Sequence, residues 1–117
     1  EQMLQYLTKC DLPATFEHQA DPVVAARDAD VLYTDVWVSM GCEQESEERK
    51  RVLSPYQVTA NILQAAKPDA LFMHCMPTHP GEEVSRSVLA SPQAILFDQA
   101  ENRLHIQKAI LRQLTQS

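Results

Sequence analysis

Two adjacent residues carry the most chemistry in this chain. In Phe72-Met73-His74-Cys75-Met76-Pro77 an apolar run ends in an imidazole and a thiol, and proline stops it. A thiol and an imidazole can both exchange protons near neutral pH. A free cysteine is more commonly a small buried apolar residue, and a lone histidine is usually structural. Their place between an apolar strand and a proline favours a site over a core. Pro77 is expected to bias Met76 toward an extended backbone, leaving the Cys75 and Met76 carbonyls free to accept from a ligand. Adjacent residues on an extended segment point to opposite sides, so His74 and Cys75 do not form a Cys–His nucleophile pair. A metal site from His74, Cys75 and His79 lacks a fourth ligand at suitable spacing, so no metal is expected.

Other polar residues follow apolar runs. Asp35 comes after Val31-Leu32-Tyr33-Thr34 and before Trp37-Val38-Ser39-Met40-Gly41. It suits a turn or capping acid, and equally a carboxylate that holds a ligand amine. Ser39 suits a hydroxyl bonding its own backbone, Met40 a gap filler and Gly41 a positive φ. Arg103 follows Glu101-Asn102. It is a surface ion-pair former or a planar fork of donors for an oxygen-rich ligand. The charge run from Glu43 to Arg51 reads as a solvated helix or as a lid over the Ser39–Gly41 loop.

These residues need a frame. Four short apolar runs read as strands: a weak one at Ala14-Thr15-Phe16, then Val31–Thr34, Ala70–Met73 and Ala94–Phe97. The last three are nearly continuous in apolar residues, the pattern of strands covered on both faces of a parallel sheet. Helical patterns lie between them. Asp21-Pro22 opens one with an N-cap acid and a proline at the first helical position. Others run over Glu45–Leu53, from Ser54-Pro55 to about Ala66, over Glu82–Leu89 and over Leu104–Leu114. Alternating strands and helices predict an α/β layer fold with right-handed crossovers. In such sheets ligands bind beyond the carboxyl ends of the strands, where Asp35, His74-Cys75 and Asp98 with Arg103 are expected to converge.

Composition limits the alternatives. With 117 residues, 44% of them hydrophobic, the chain can build one compact core. A net charge of −6 gives no electrostatic footprint for nucleic acid or an anionic membrane. No apolar run is long enough to cross a bilayer, and no signal-peptide pattern opens the sequence. The three cysteines, Cys10, Cys42 and Cys75, match no disulfide or zinc framework, so reduced thiols in a cytoplasmic protein are expected.

Taken together, the motifs resemble the ornithine carbamoyltransferase family. The blocks are "DVWVSMG" from Asp35, "YQV" from Tyr56, "MHCMP" from Met73 and "FDQAENRLHIQKAIL" from Phe97. They stand in family order, and the match is dense from about Ala29 to Leu111. One block would be weak, but four in order are specific. The resemblance implies a Rossmann-like three-layer α/β domain with a mostly parallel sheet of about four strands. It implies transfer of a carbamoyl group from carbamoyl phosphate to the δ-amine of ornithine, without a cofactor. Asp35, Ser39 and Met40 would hold ornithine. His74, Cys75, Met76 and Arg103 would hold carbamoyl phosphate. Cys75 would accept the amine proton, and Arg103 would face the carbamoyl oxygen. Met76 stands where the family more often has leucine, a mild change if its part is played by the backbone.

The family's Ser-Thr-Arg-Thr phosphate grip does not occur here. Residues 1–117 are therefore expected to form a partial, C-terminal ornithine-binding domain, truncated at its N-terminal side. It is expected to be inactive alone, to need the missing N-terminal domain as partner, and to self-associate as a homo-oligomer. The contrasting expectation is a non-catalytic α/β module that binds an amino acid or assembles with itself.

Overall fold

The structure, a computed structural model, describes residues 15–38 and 46–116. Ser39, Met40, Gly41, Cys10 and Cys42 lie outside the described residues, as do Ala14 and the start of the charge run.

Asp21 caps the first helix, α1 (Pro22–Ala26): its Oδ1 accepts from the Val23 and Val24 N–H groups at 2.8 and 3.2 Å. Strand β1 (Val31–Thr34) follows, then α2 (Ser46–Leu53) and a 3₁₀ turn at Ser54–Tyr56. Next come α3 (Ala60–Ala65), β2 (Leu71–His74), α4 (Arg86–Leu89) and α5 (Leu96–Thr115). β1 and β2 pair in parallel, with Val31 opposite Leu71 and Thr34 opposite His74. The crossover between them carries α2 and α3, as parallel pairing requires.

The parallel α/β arrangement agrees with the sequence expectation, but the sheet has two strands among the described residues rather than about four. Thr15 and Phe16 form no strand. The run Ala94–Phe97 makes only a parallel bridge from Ala94 to Phe72, with Phe72 N–H donating to the Gln93 carbonyl at 2.8 Å and Ile95 N–H to the Phe72 carbonyl at 3.0 Å. The chain then turns into α5 at Leu96. A continuous four-residue apolar run has no period to separate strand from helix. Here the run is divided, with Leu96 buried in the core and Phe97 exposed.

The core lies on one face of the two strands. Phe72, fully buried, packs with Ala26 of α1, Ile62 and Leu63 of α3, Val88 of α4, Leu96 of α5, and Val58 and Val84 of the loops. Strand alternation puts Val31, Tyr33 and Leu71 on the opposite face, where all three are exposed. No helix among the described residues is long and apolar enough to cross a membrane.

Candidate functional site

β1 and β2 are in register, so the residues that follow them emerge side by side. Cys75 Sγ donates to Asp35 Oδ1 at 2.9 Å. Asp35 also accepts from its neighbour, the Val36 N–H, at 2.7 Å. Each partner moves the other's proton affinity. The thiol hydrogen bond, then the Val36 amide, hold the Asp35 carboxyl below its ordinary range. The bond to Asp35, then desolvation, push the Cys75 thiol up, and the Tyr33 hydroxyl opposes them weakly. In this state the pair is carboxylate and thiol. It lies at the open end of the sheet, with Asp35 exposed and Cys75 half-buried.

His74 faces the other way. It is fully buried, as the alternation of side chains requires, and reaches no solvent. Its Nδ1 accepts from the Met76 N–H at 2.9 Å, and its Nε2 lies 3.3 Å from Oε1 of Glu83, which is also fully buried. Met76 is not extended as Pro77 led us to expect. Its φ is +57°, in the left-handed region, because the imidazole two residues earlier captures its N–H and turns the chain sharply. The Cys75 and Met76 carbonyls receive no hydrogen bond among the described residues.

Two side chains that sequence reasoning passed over hold this corner together. Gln99 of α5 accepts from the His74 N–H through Oε1 at 2.9 Å and donates to the Tyr33 hydroxyl through Nε2 at 3.1 Å. One amide thus joins both strand ends to the last helix. Glu83 accepts from the His79 N–H at 2.6 Å through the same Oε1 that faces His74. Its segment is fastened by the "YQV" block. Gln57 Nε2 donates to the Gly81 and Glu82 carbonyls at 2.7 and 2.6 Å, and the Val58 N–H donates to the Glu83 carbonyl at 2.9 Å. Gly81 occupies φ +101°, a conformation that L side chains rarely adopt. Gln99 stands inside the "FDQAENRLHIQKAIL" block, whereas Glu83 lies in none of the four blocks and no sequence signal marked it.

The structure brings Asp35 and Cys75 into contact, with Met76 next to them and His74 behind. Arg103 is not joined to them. It is exposed on α5, one turn beyond Gln99. Among the described residues the grouping with metal-ligand potential is His79, Glu82 and Glu83, not His74, Cys75 and His79. Within that group Glu82 is engaged by Lys50 Nζ at 2.9 Å, and Glu83 by His74 and the His79 amide.

The carboxylate and the thiol stand beyond the carboxyl ends of parallel strands, the place where open α/β sheets bind ligands. The comparisons with known proteins specify the class. The family model described as aspartate/ornithine carbamoyltransferase, Asp/Orn binding domain, matches residues 3–114, and the chain belongs to that family. It is 57% identical over 97 residues to an ornithine carbamoyltransferase of Thermococcus kodakarensis, covering 83% of this chain and 31% of that protein. Among solved structures, the ornithine carbamoyltransferase of Pyrococcus furiosus superposes with a TM-score of 0.72 at 58% identity, over 78% of this chain and 29% of that one. The anabolic enzyme of Campylobacter jejuni gives 0.74 at 35% identity, over 81% and 31%. These likenesses identify the fold as Rossmann-like. The chain spans about three-tenths of the length of the relatives it matches.

Proposed function

We propose that this chain supplies the ornithine-binding part of a carbamoyltransferase that moves the carbamoyl group of carbamoyl phosphate to the δ-amine of ornithine, giving citrulline and phosphate. The 2.9 Å contact between Cys75 Sγ and Asp35 Oδ1 carries this reading. It puts an anion that attracts an ammonium beside a group that can take its proton. The amine must lose a proton before it attacks. Asp35, while it accepts from the thiol, raises the thiol pKa. An ammonium docking on Asp35 takes over that carboxylate, which removes the largest influence raising the thiol pKa. Cys75 can then release its proton to solvent, and the thiolate takes the proton that the ammonium gives up as the neutral amine attacks.

The carbonyls of Cys75 and Met76, which accept no hydrogen bond among the described residues, suit the N–H groups of a carbamoyl unit. His74 acts from behind, by holding Met76. Arg103, a fixed cation, suits the negative charge that develops on the carbamoyl oxygen, once α5 is seated so that it reaches the site. Ser39 and Met40 complete the ornithine contact from the loop after Asp35. The phosphate of the donor needs basic and N–H groups that the strand ends do not offer. We assign that task to a separate N-terminal domain, and we infer a cytoplasmic homo-oligomer as the working form.

The test is citrulline formation from carbamoyl phosphate and ornithine, with residues 1–117 alone and with a separately made N-terminal domain of a relative. No product alone and product on mixing are expected. Product from the chain alone overturns the division of labour. A folded chain that binds no ornithine by calorimetry overturns the reading of Asp35. Ornithine binding without product on mixing points to an amino-acid-binding module instead.

A further inference from the structure

Behind the Met76 turn that His74 holds, the buried pair His74–Glu83 has an unusual environment. Both side chains are 0% exposed. His74 Nε2 lies 3.3 Å from Glu83 Oε1 without hydrogen-bond geometry, and among the described residues neither Nε2 nor the other carboxyl oxygen, Oε2, has a hydrogen-bond partner. Buried polar atoms left without partners are costly, so two of them on neighbouring buried side chains call for a reason.

The other ring nitrogen supplies the reason. Nδ1 accepts from the Met76 N–H at 2.9 Å, so it carries a lone pair and no proton. The ring proton of His74 must then sit on Nε2, and among the described residues the carboxyl group at ion-pair distance from that nitrogen is Glu83. Were the proton on Nδ1 instead, it would confront the Met76 N–H donor to donor, and Met76 would lose the bond that holds it at φ +57°.

We propose that Glu83 is a positioning residue: facing Nε2, it keeps the His74 proton there, so that Nδ1 holds the Met76 N–H and the turn that leaves the Cys75 and Met76 carbonyls unengaged. Glu83 is itself fixed from outside the strand. The His79 amide donates to its Oε1 at 2.6 Å, and Gln57 and Val58 clamp its backbone segment. The geometry of the turn after β2 is thus set from the "YQV" segment through a carboxylate and an imidazole. The tautomer stands on the structure alone, whereas its consequence for carbamoyl phosphate rests on the function proposed above.

Long-range ¹H–¹⁵N correlation on the 117-residue chain reads the tautomer, and amide hydrogen exchange reads Met76. Wild type should show His74 protonated at Nε2 alone, with a protected Met76 amide. In Glu83→Ala a mixture of tautomers and at least about tenfold faster Met76 exchange are expected. Glu83→Gln keeps an oxygen acceptor for both donors, so it should keep the Nε2 proton and speed exchange only about threefold to fivefold, through loss of the charge-assisted contact. If Glu83→Ala does not fold, Glu83→Gln decides. An Nδ1 proton in wild type, or Met76 exchange unchanged in the variant that folds, overturns the proposal.

Where the mixed domains make citrulline, Glu83→Gln should raise KM for carbamoyl phosphate severalfold with KM for ornithine unchanged. A loss confined to ornithine would overturn the functional half. Failure to make citrulline at all would count against the proposed function and leave the spectroscopic result to judge the tautomer.

Discussion

The two ends of the candidate site are built in opposite ways. The strand ends are fixed by this chain's own interior. Phe72 and His74 are buried, the registered β1–β2 pair sets Asp35 beside Cys75, and Gln99 and Glu83 fasten the turn. Among the described residues, helix α5 joins the core through its first turns. Leu96 lies in the core, but Phe97, Leu104, Ile106, Ile110, Leu111 and Leu114 are all more than half exposed, and Arg103 sits among them. A helix of 20 residues with an apolar surface has enough length and area to need a partner surface. The thiol and carboxylate are therefore prepared by local packing, whereas the placement of the arginine depends on whatever α5 lies against.

Substitutions can break or sharpen this contrast. The largest effect is expected at the buried end. Phe72→Ala should cost about 3–5 kcal/mol of folding stability by denaturant unfolding, because it empties the centre of the core. A loss below about 1 kcal/mol would mean that the strand ends are no better supported than α5.

Cys75→Ala should lower kcat of the mixed-domain reaction by about 10²-fold or more, with folding unchanged, if the thiol takes the amine proton. A variant within about threefold of wild type would move the acceptor role elsewhere.

The coupling between Asp35 and Cys75 predicts a smaller change. Asp35 raises the thiol pKa, so Asp35→Asn should let it fall and make alkylation of Cys75 severalfold faster at mildly alkaline pH, read by mass spectrometry of its peptide. The linkage runs on two limbs. The carboxyl, lowered on folding, stabilises above its ordinary pKa and loses that contribution as pH falls through its depressed value. The thiol, raised on folding, stabilises below its ordinary pKa and loses that contribution as pH rises through its elevated value. Unfolding midpoints of wild type and Asp35→Asn should therefore differ most between the ordinary carboxyl and thiol ranges and converge at both extremes. A difference that grows toward acid would contradict the assignment.

The smallest stability change is expected on α5. Leu104→Ser with Leu111→Ser should alter unfolding by no more than about 0.5 kcal/mol per site while weakening self-association in sedimentation. A strictly monomeric wild-type chain at high concentration would remove self-association as the way this helix is covered.

What could be read from the sequence follows the same division. Asp21-Pro22 opens α1 as expected because a capping acid and a first-turn proline act within a few residues. The Asp35–Cys75 meeting was legible because parallel strands of equal length bring their following residues together. The run Ala94–Phe97 misled because four apolar residues carry no period, and packing of Leu96 against Phe72 decided its shape. Met76 misled because the bias imposed by proline is weaker than a hydrogen bond captured by the imidazole two residues earlier. Glu83 and Gln99 were invisible as partners of His74 because both pairings span the fold, and no local pattern encodes them.

The single amide of Gln99 has a mechanical consequence. It ties α5 to both strand ends at one point, so the rest of the helix behaves as a lever about that pivot. Arg103 lies roughly 6 Å along the axis from Gln99 and Leu114 about 22 Å along it. A tilt of about 10° moves the arginine by about 1 Å and the far leucine by about 4 Å. Whatever seats the distal leucines within a few ångströms therefore places the Arg103 backbone within about one. The long exposed arm reduces coarse docking at its tip to fine adjustment near its root.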